Sequence, residues 1–152
     1  MNTMKKMLFG LFMSASVMAQ AAPSFFNHTA AKPNYRHDIC DRSPCIATKV
    51  TGFKLVEKTP TESTILVNIL GGDKYPSGQV KWNNESHRYA LTCSKTHPTI
   101  QVDDEDTDNL PLHPNTGMDS ILAHRAILYM QLCHSYTGDL DKGIKKFGYN
   151  VR

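Results

Sequence analysis

Hydrophobic and polar positions alternate with a period of two through the middle of the chain. Ile46, Thr48 and Val50 share one parity, Phe53 and Leu55 take the other, and Gly52 sits at the switch. A β-bulge at that glycine lets one strand keep its apolar side on one face. Ile65, Val67 and Ile69 repeat the pattern and stop at Gly71-Gly72. Gln79 to Trp82 reads as a short third strand, with Val80 and Trp82 sharing a face. Asn83-Asn84-Glu85-Ser86 is turn chemistry, and His87, Tyr89, Leu91 and Cys93 then alternate against Arg88, Ala90 and Thr92. Thr99 to Val102, after Pro98, makes a fifth strand. Connections this short favour antiparallel hairpins, because a parallel crossover needs a dozen or more residues.

The period then changes. Leu110-Pro-Leu-His-Pro114 is extended, and Met118 to His134 is the one long helix, with Thr116 as its expected N-cap and Asp119 three residues on. Its apolar positions Ile121, Leu122, Leu128, Tyr129, Leu132 and Cys133 form a stripe interrupted by Arg125. Ala123, Ala126, Ile127 and Met130 widen that face, so the helix is expected to be covered on more than one side. Asp139 to Phe147 forms a short second helix with Gly148 as its C′ residue. The pattern predicts an α+β fold: an antiparallel sheet of about five strands packed against one long C-terminal helix plus a short terminal helix. Trp82, Tyr89, Leu91, Ile65, Val67, Leu122, Leu128 and Leu132 are its expected core.

Ahead of this domain (residues 39–152), residues 22–38 have no periodicity and read as a flexible lead-in, unusual only for Phe25, Phe26 and Tyr35. Residues 1–21 read as a secretory signal peptide. Lys5 and Lys6 precede an apolar run from Met7 to Met18, roughly a dozen residues and so too short to span a bilayer, and Ala19-Gln20-Ala21 supplies the cleavage pattern. Export changes the charge: losing Lys5 and Lys6 takes 17 basic residues to 15, against 14 acidic ones. No face or stretch concentrates Lys and Arg, so nucleic acid is not expected as a partner, nor is a membrane span. Asn27 and Asn84 head glycosylation sequons, which matter only where the source secretes through an endoplasmic reticulum.

The expected location is the periplasm or the exterior, where an even number of cysteines reads as disulfides. Cys40–Cys45 closes a small loop around Ser43-Pro44, and Cys93–Cys133 joins the fourth strand to the long helix. Zinc is the rival use of these residues, but there is no C-x2-C pair.

Candidate chemistry is sparse. Asp104, Asp106 and Asp108 match the opening of a calcium loop, but Asn109 stands where glycine is needed and Asn115 where glutamate closes the site. His124 and His134 lie roughly 80° apart around a helix and would not chelate one ion unaided. His97 and His113, each before a proline, are the other loop histidines. Cys133-His134 is the only adjacent thiol–imidazole pair, and a disulfide removes it. No G-x-S-x-G, G-x-G-x-x-G or P-loop occurs. No catalytic residue, metal or cofactor is therefore expected.

Binding has more support. The Gly71–Gly78 connection presents Tyr75 beside Lys74, and tyrosine on a rigidly held loop contributes contact area at little entropic cost. Asp104, Asp106 and Asp108 in the acidic run would steer a basic partner. The expectation is an exported non-catalytic protein-binding module, such as a periplasmic inhibitor or immunity protein. The alternatives are a small exported hydrolase using loop His and Asp residues, or a subunit of a cell-surface assembly docking through Phe25 and Phe26.

Overall fold

The computed structural model describes residues 25–40, 43–115 and 117–152. The expected signal peptide and cleavage point, and Thr116, lie outside them. Six strands form one antiparallel meander in sequence order: β1 (Arg36–Ile39), β2 (Cys45–Lys58), β3 (Glu62–Lys74), β4 (Val80–Ser94), β5 (Thr99–Val102) and β6 (Asp108–Asn109). Two helices follow, α1 (Ser120–His134) and α2 (Leu140–Lys146). The fold is α+β, with both expected disulfides formed, Cys40–Cys45 and Cys93–Cys133.

The alternation in the sequence becomes the two faces of the sheet. The β2–β3 register slips between Val50 and Gly52, which moves the apolar parity from Val50 to Phe53 while keeping both on one side. Ile65 pairs with Leu91 and Val67 with Tyr89, and this face meets Ala126, Tyr129, Met130 and Leu132 of α1. Ile65, Val67, Leu91 and Leu132 are buried, whereas Tyr89, Leu122 and Leu128 are only partly so.

Three local expectations are corrected. Asn83–Ser86 does not end a strand: Gly72 pairs with Trp82 and Leu70 with Ser86, so residues 83–85 bulge out of one continuous β4. The long partner strand holds both sides of the bulge together, which overrides the turn chemistry. Trp82 is therefore not under the helix. It aligns with Gly72 and Ala47 on the opposite face, where a Cβ on Gly72 would meet the indole at 3.0 Å and Arg36 stacks over the ring. Asp119 is itself the N-cap of α1, its carboxylate accepting from Leu122 N–H.

The largest correction concerns residues 25–38, expected as a flexible lead-in. Phe26 is 5 % exposed, Thr29–Ala31 forms a 3-10 turn, and Arg36–Ile39 is a strand of the sheet. This segment straps across the C-terminus of α1: Asn27 N–H donates to Cys133 O, and Ala30 N–H donates to Ser135 Oγ. Its burial is set by that docking and leaves no periodic trace in the sequence.

Candidate functional site

Helix α1 has two faces. Ala126, Tyr129, Met130, Leu132 and Cys133 pack into the core. Ile121, His124, Arg125, Leu128 and Gln131 fall at i, i+3, i+4, i+7 and i+10, which is one stripe along the helix. The stripe faces Ile39 of β1, Ile46 and Thr48 of β2, Tyr89 of β4 and Val102 of β5 across an open groove of about 330 Å³. The wider cover expected for α1 is present over its C-terminal part, where Tyr129 to His134 are all buried and the Thr29–Ala31 turn and α2 pack on the helix, and the stripe opens only toward Ile121. Ile121 is 67 % exposed at one end of the groove. The volume falls at the small end of the range for ligand pockets, roughly 300–1,000 Å³.

Two polar groups define the chemistry of the groove. Gln131 is 3 % exposed, and its side-chain Nε2 has no hydrogen-bond partner. A buried amide N–H without an acceptor is costly unless something supplies one. Arg125 is already engaged: its guanidinium donates to Asp108 and Glu105, which neutralise it. The wall of the groove is therefore electrically quiet despite its arginine.

The acidic run borders this end, and its carboxylates point to separate cations. Asp103 accepts from His87 Nδ1 at 2.6 Å and from Arg88 N–H at 2.8 Å, bonds that hold its carboxyl below the usual range. Asp104 reaches Arg88 at 3.2 Å, while Asp106 is exposed. Five carboxylates from Asp103 to Asp108 stand against Arg88 and Arg125, so the border keeps a negative excess. Among the described residues no group of three or more His, Cys, Asp or Glu side chains is placed to hold a metal ion.

The other site residues picked from the sequence fall at the end of β3 and in the β3–β4 connection. Lys74 ends β3 and donates to Asp38 at 2.7 Å, next to the groove-lining Ile39 in sequence but on the opposite side of β1. Tyr75 is 43 % exposed in the β3–β4 connection, where its backbone closes the turn with Gln79 and Gly78. The structure does not bring Tyr75 and the acidic run together. His97 and His113 bond within their own loops, to Thr96 and Pro114.

Comparison with protein-family models, with characterised proteins and with solved structures returns no match. The geometry is therefore the whole basis for reading the site.

Two further groupings bear on that reading. His87 and Asp103 form a His–carboxylate pair, but among the described residues no hydroxyl or thiol hydrogen-bonds the other imidazole nitrogen. A nucleophile–base arrangement is thus incomplete there. The second grouping is a buried aromatic cluster at the end of α1. Ser94 N–H donates to the Tyr129 hydroxyl at 3.0 Å, and that hydroxyl donates back to Ser94 O at 3.1 Å. Tyr149 then donates to Tyr129 at 3.0 Å and accepts from His134 Nε2 at 2.7 Å. This order of bonds assigns His134 the Nε2–H tautomer and leaves Nδ1 bare. Phe147 stacks on the imidazole at 3.9 Å, and Phe25 and Phe26 close the cluster. Both phenylalanines are thus engaged by their own domain.

The sequence did not single out the groove. Its residues come from four strands and one helix face, and the signals that could have found it are Arg125, which interrupts the apolar stripe, and Gln131, a neutral polar residue among Leu128, Tyr129, Met130 and Leu132.

Proposed function

We propose that this protein is an exported, non-catalytic protein-binding module, of the kind a periplasmic inhibitor or immunity protein represents. The observation that carries this reading is the open groove between the Ile121–Gln131 stripe of α1 and the β1–β2 end of the sheet, with Ile39, Ile46, Ile121 and Leu128 as its apolar walls. An apolar-walled groove left open on a small domain is a surface for another chain. Two disulfides suit an oxidising compartment, and no helix among the described residues is long and apolar enough to cross a membrane. Asp104 and Asp106 give the surface its approach, steering a basic partner over a Debye length of about 8 Å at physiological salt. The Tyr75 loop, with Lys74 fixed by Asp38, is a second contact surface.

Site-specific photo-crosslinking in native envelopes tests the reading. A photoreactive residue at Ile121 should give one discrete protein adduct, and the same residue at the exposed Val56 should not. Absence of an adduct from position 121 contradicts the proposal. So does turnover of an ester or peptide substrate that is lost in His87→Ala, which would favour a small exported hydrolase.

A further inference from the structure

Resting on the binding-module reading, the geometry points to what the groove accepts: an extended segment of a partner polypeptide. We infer that it inserts one branched or aromatic side chain between α1 and β2, sets a backbone carbonyl against Gln131 Nε2, and carries Lys or Arg beside the inserted residue.

Three observations select this occupant. The walls at Ile39, Ile46, Ile121 and Leu128 are aliphatic and enclose about 330 Å³, which suits one or two side chains and not a folded domain. At the buried end, Gln131 lines the groove, and its side-chain Nε2 is buried without a hydrogen-bond partner. A neutral acceptor satisfies it, and a peptide carbonyl also offers an adjacent N–H to the other half of the glutamine amide. At the border, charge discriminates. Arg125 is the one cation in the wall, and Asp108 and Glu105 already neutralise it. Asp106 is exposed to solvent in the same run, while Asp104 pairs with Arg88. A fatty acid or another anionic apolar ligand would enter against this field, where the one guanidinium lining the groove is already paired. A cationic residue flanking the inserted side chain meets complementary charge instead.

The edge position of β1 is compatible with such a segment. Within the described residues β1 pairs only with β2, so its outer backbone edge can align an extended chain whose side chain reaches past Ile39.

The probes are three: acetyl-Lys-Leu-Lys-amide, acetyl-Glu-Leu-Glu-amide and dodecanoate, each titrated into the full mature protein and followed by NMR. The basic peptide is expected to shift the Gln131 side-chain amide and the methyls of Ile46, Ile121 and Leu128. The acidic peptide should bind about tenfold more weakly, and raising salt from about 0.05 to 0.5 M should remove most of that difference. Gln131→Leu should weaken the basic peptide about fivefold or more by removing the donor. Gln131→Asn, which keeps an amide, should retain part of the affinity. Thermal unfolding of each variant separates loss of the site from loss of the fold. Tighter binding of dodecanoate than of the basic peptide overturns the inference and indicates a lipid-type ligand. Equal affinity for the two peptides, or an unchanged affinity in Gln131→Leu, also overturns it. If an adduct still forms at Ile121 in either case, the binding-module reading stands and only the assigned occupant falls.

Discussion

His134 Nε2 donates to the Tyr149 hydroxyl at 2.7 Å, and this single bond leaves the other ring nitrogen bare in an apolar cage. Protonating that nitrogen would place a charge among Phe25, Phe26 and Phe147. Burial, reinforced by His28 and Lys95, lowers the His134 pKa to about 4. The unfolded chain binds a proton on this histidine near pH 6.5, so it holds more protons than the folded chain between those values. Stability contributed by the neutral ring is fully present above pH 6.5 and lost as pH falls toward 4, by up to about 3 kcal/mol. His28, whose pKa is also lowered by burial, acts in the same direction. Urea unfolding between pH 4 and 8 should show this slope, and His134→Phe should flatten part of it. A slope unchanged in that variant would contradict the assignment.

Tyr149→Phe should cost about 1–3 kcal/mol, because it removes the acceptor for His134 and the donor to Tyr129 while leaving both partners buried. Urea unfolding at pH 7 measures this, and a change within about 0.5 kcal/mol would show that these hydroxyls are solvated.

Phe26→Ala should destabilise the protein by about 3–5 kcal/mol, the range for removing a buried aromatic side chain. Phe26 lies in the strap that crosses the end of α1, so the loss is far larger than a flexible tail permits. A neutral result would restore the flexible lead-in.

The strands were legible wherever one face is buried and the other wet. The switch of parity at Gly52 located a real bulge because only a change of register keeps Val50 and Phe53 on one side. The same reasoning failed at Asn83–Ser86, where the residues favour a turn but the pairing of Lys74 with Val80 and of Leu70 with Ser86 clamps both ends. Phe26 and Ala31 were missed because their burial comes from docking on Cys133 and Ser135, far away in sequence. The groove was missed for a related reason. Ile39, Ile46, Tyr89 and Val102 each look like ordinary strand residues, and only the sheet register brings them opposite one stripe of α1.

The two disulfides should differ in weight. Cys93–Cys133 spans a sequence separation of 40 and joins β4 to α1, whereas Cys40–Cys45 spans 5 at the sheet edge. Loop-closure entropy assigns about 4 kcal/mol to the first and about 2 to the second. Thermal unfolding of the paired Cys→Ala variants should preserve that order, and the reverse order would contradict it.

The most direct measurement fills the groove. Leu128→Trp places a larger side chain into open space between α1 and the sheet, so the fold should be retained with an unchanged or slightly raised Tm. Crosslinking from Ile121 in this variant should fall about tenfold or more, because the partner's side chain no longer has a place to enter. Full crosslinking yield in a stably folded Leu128→Trp protein would contradict the account that this groove is the binding site.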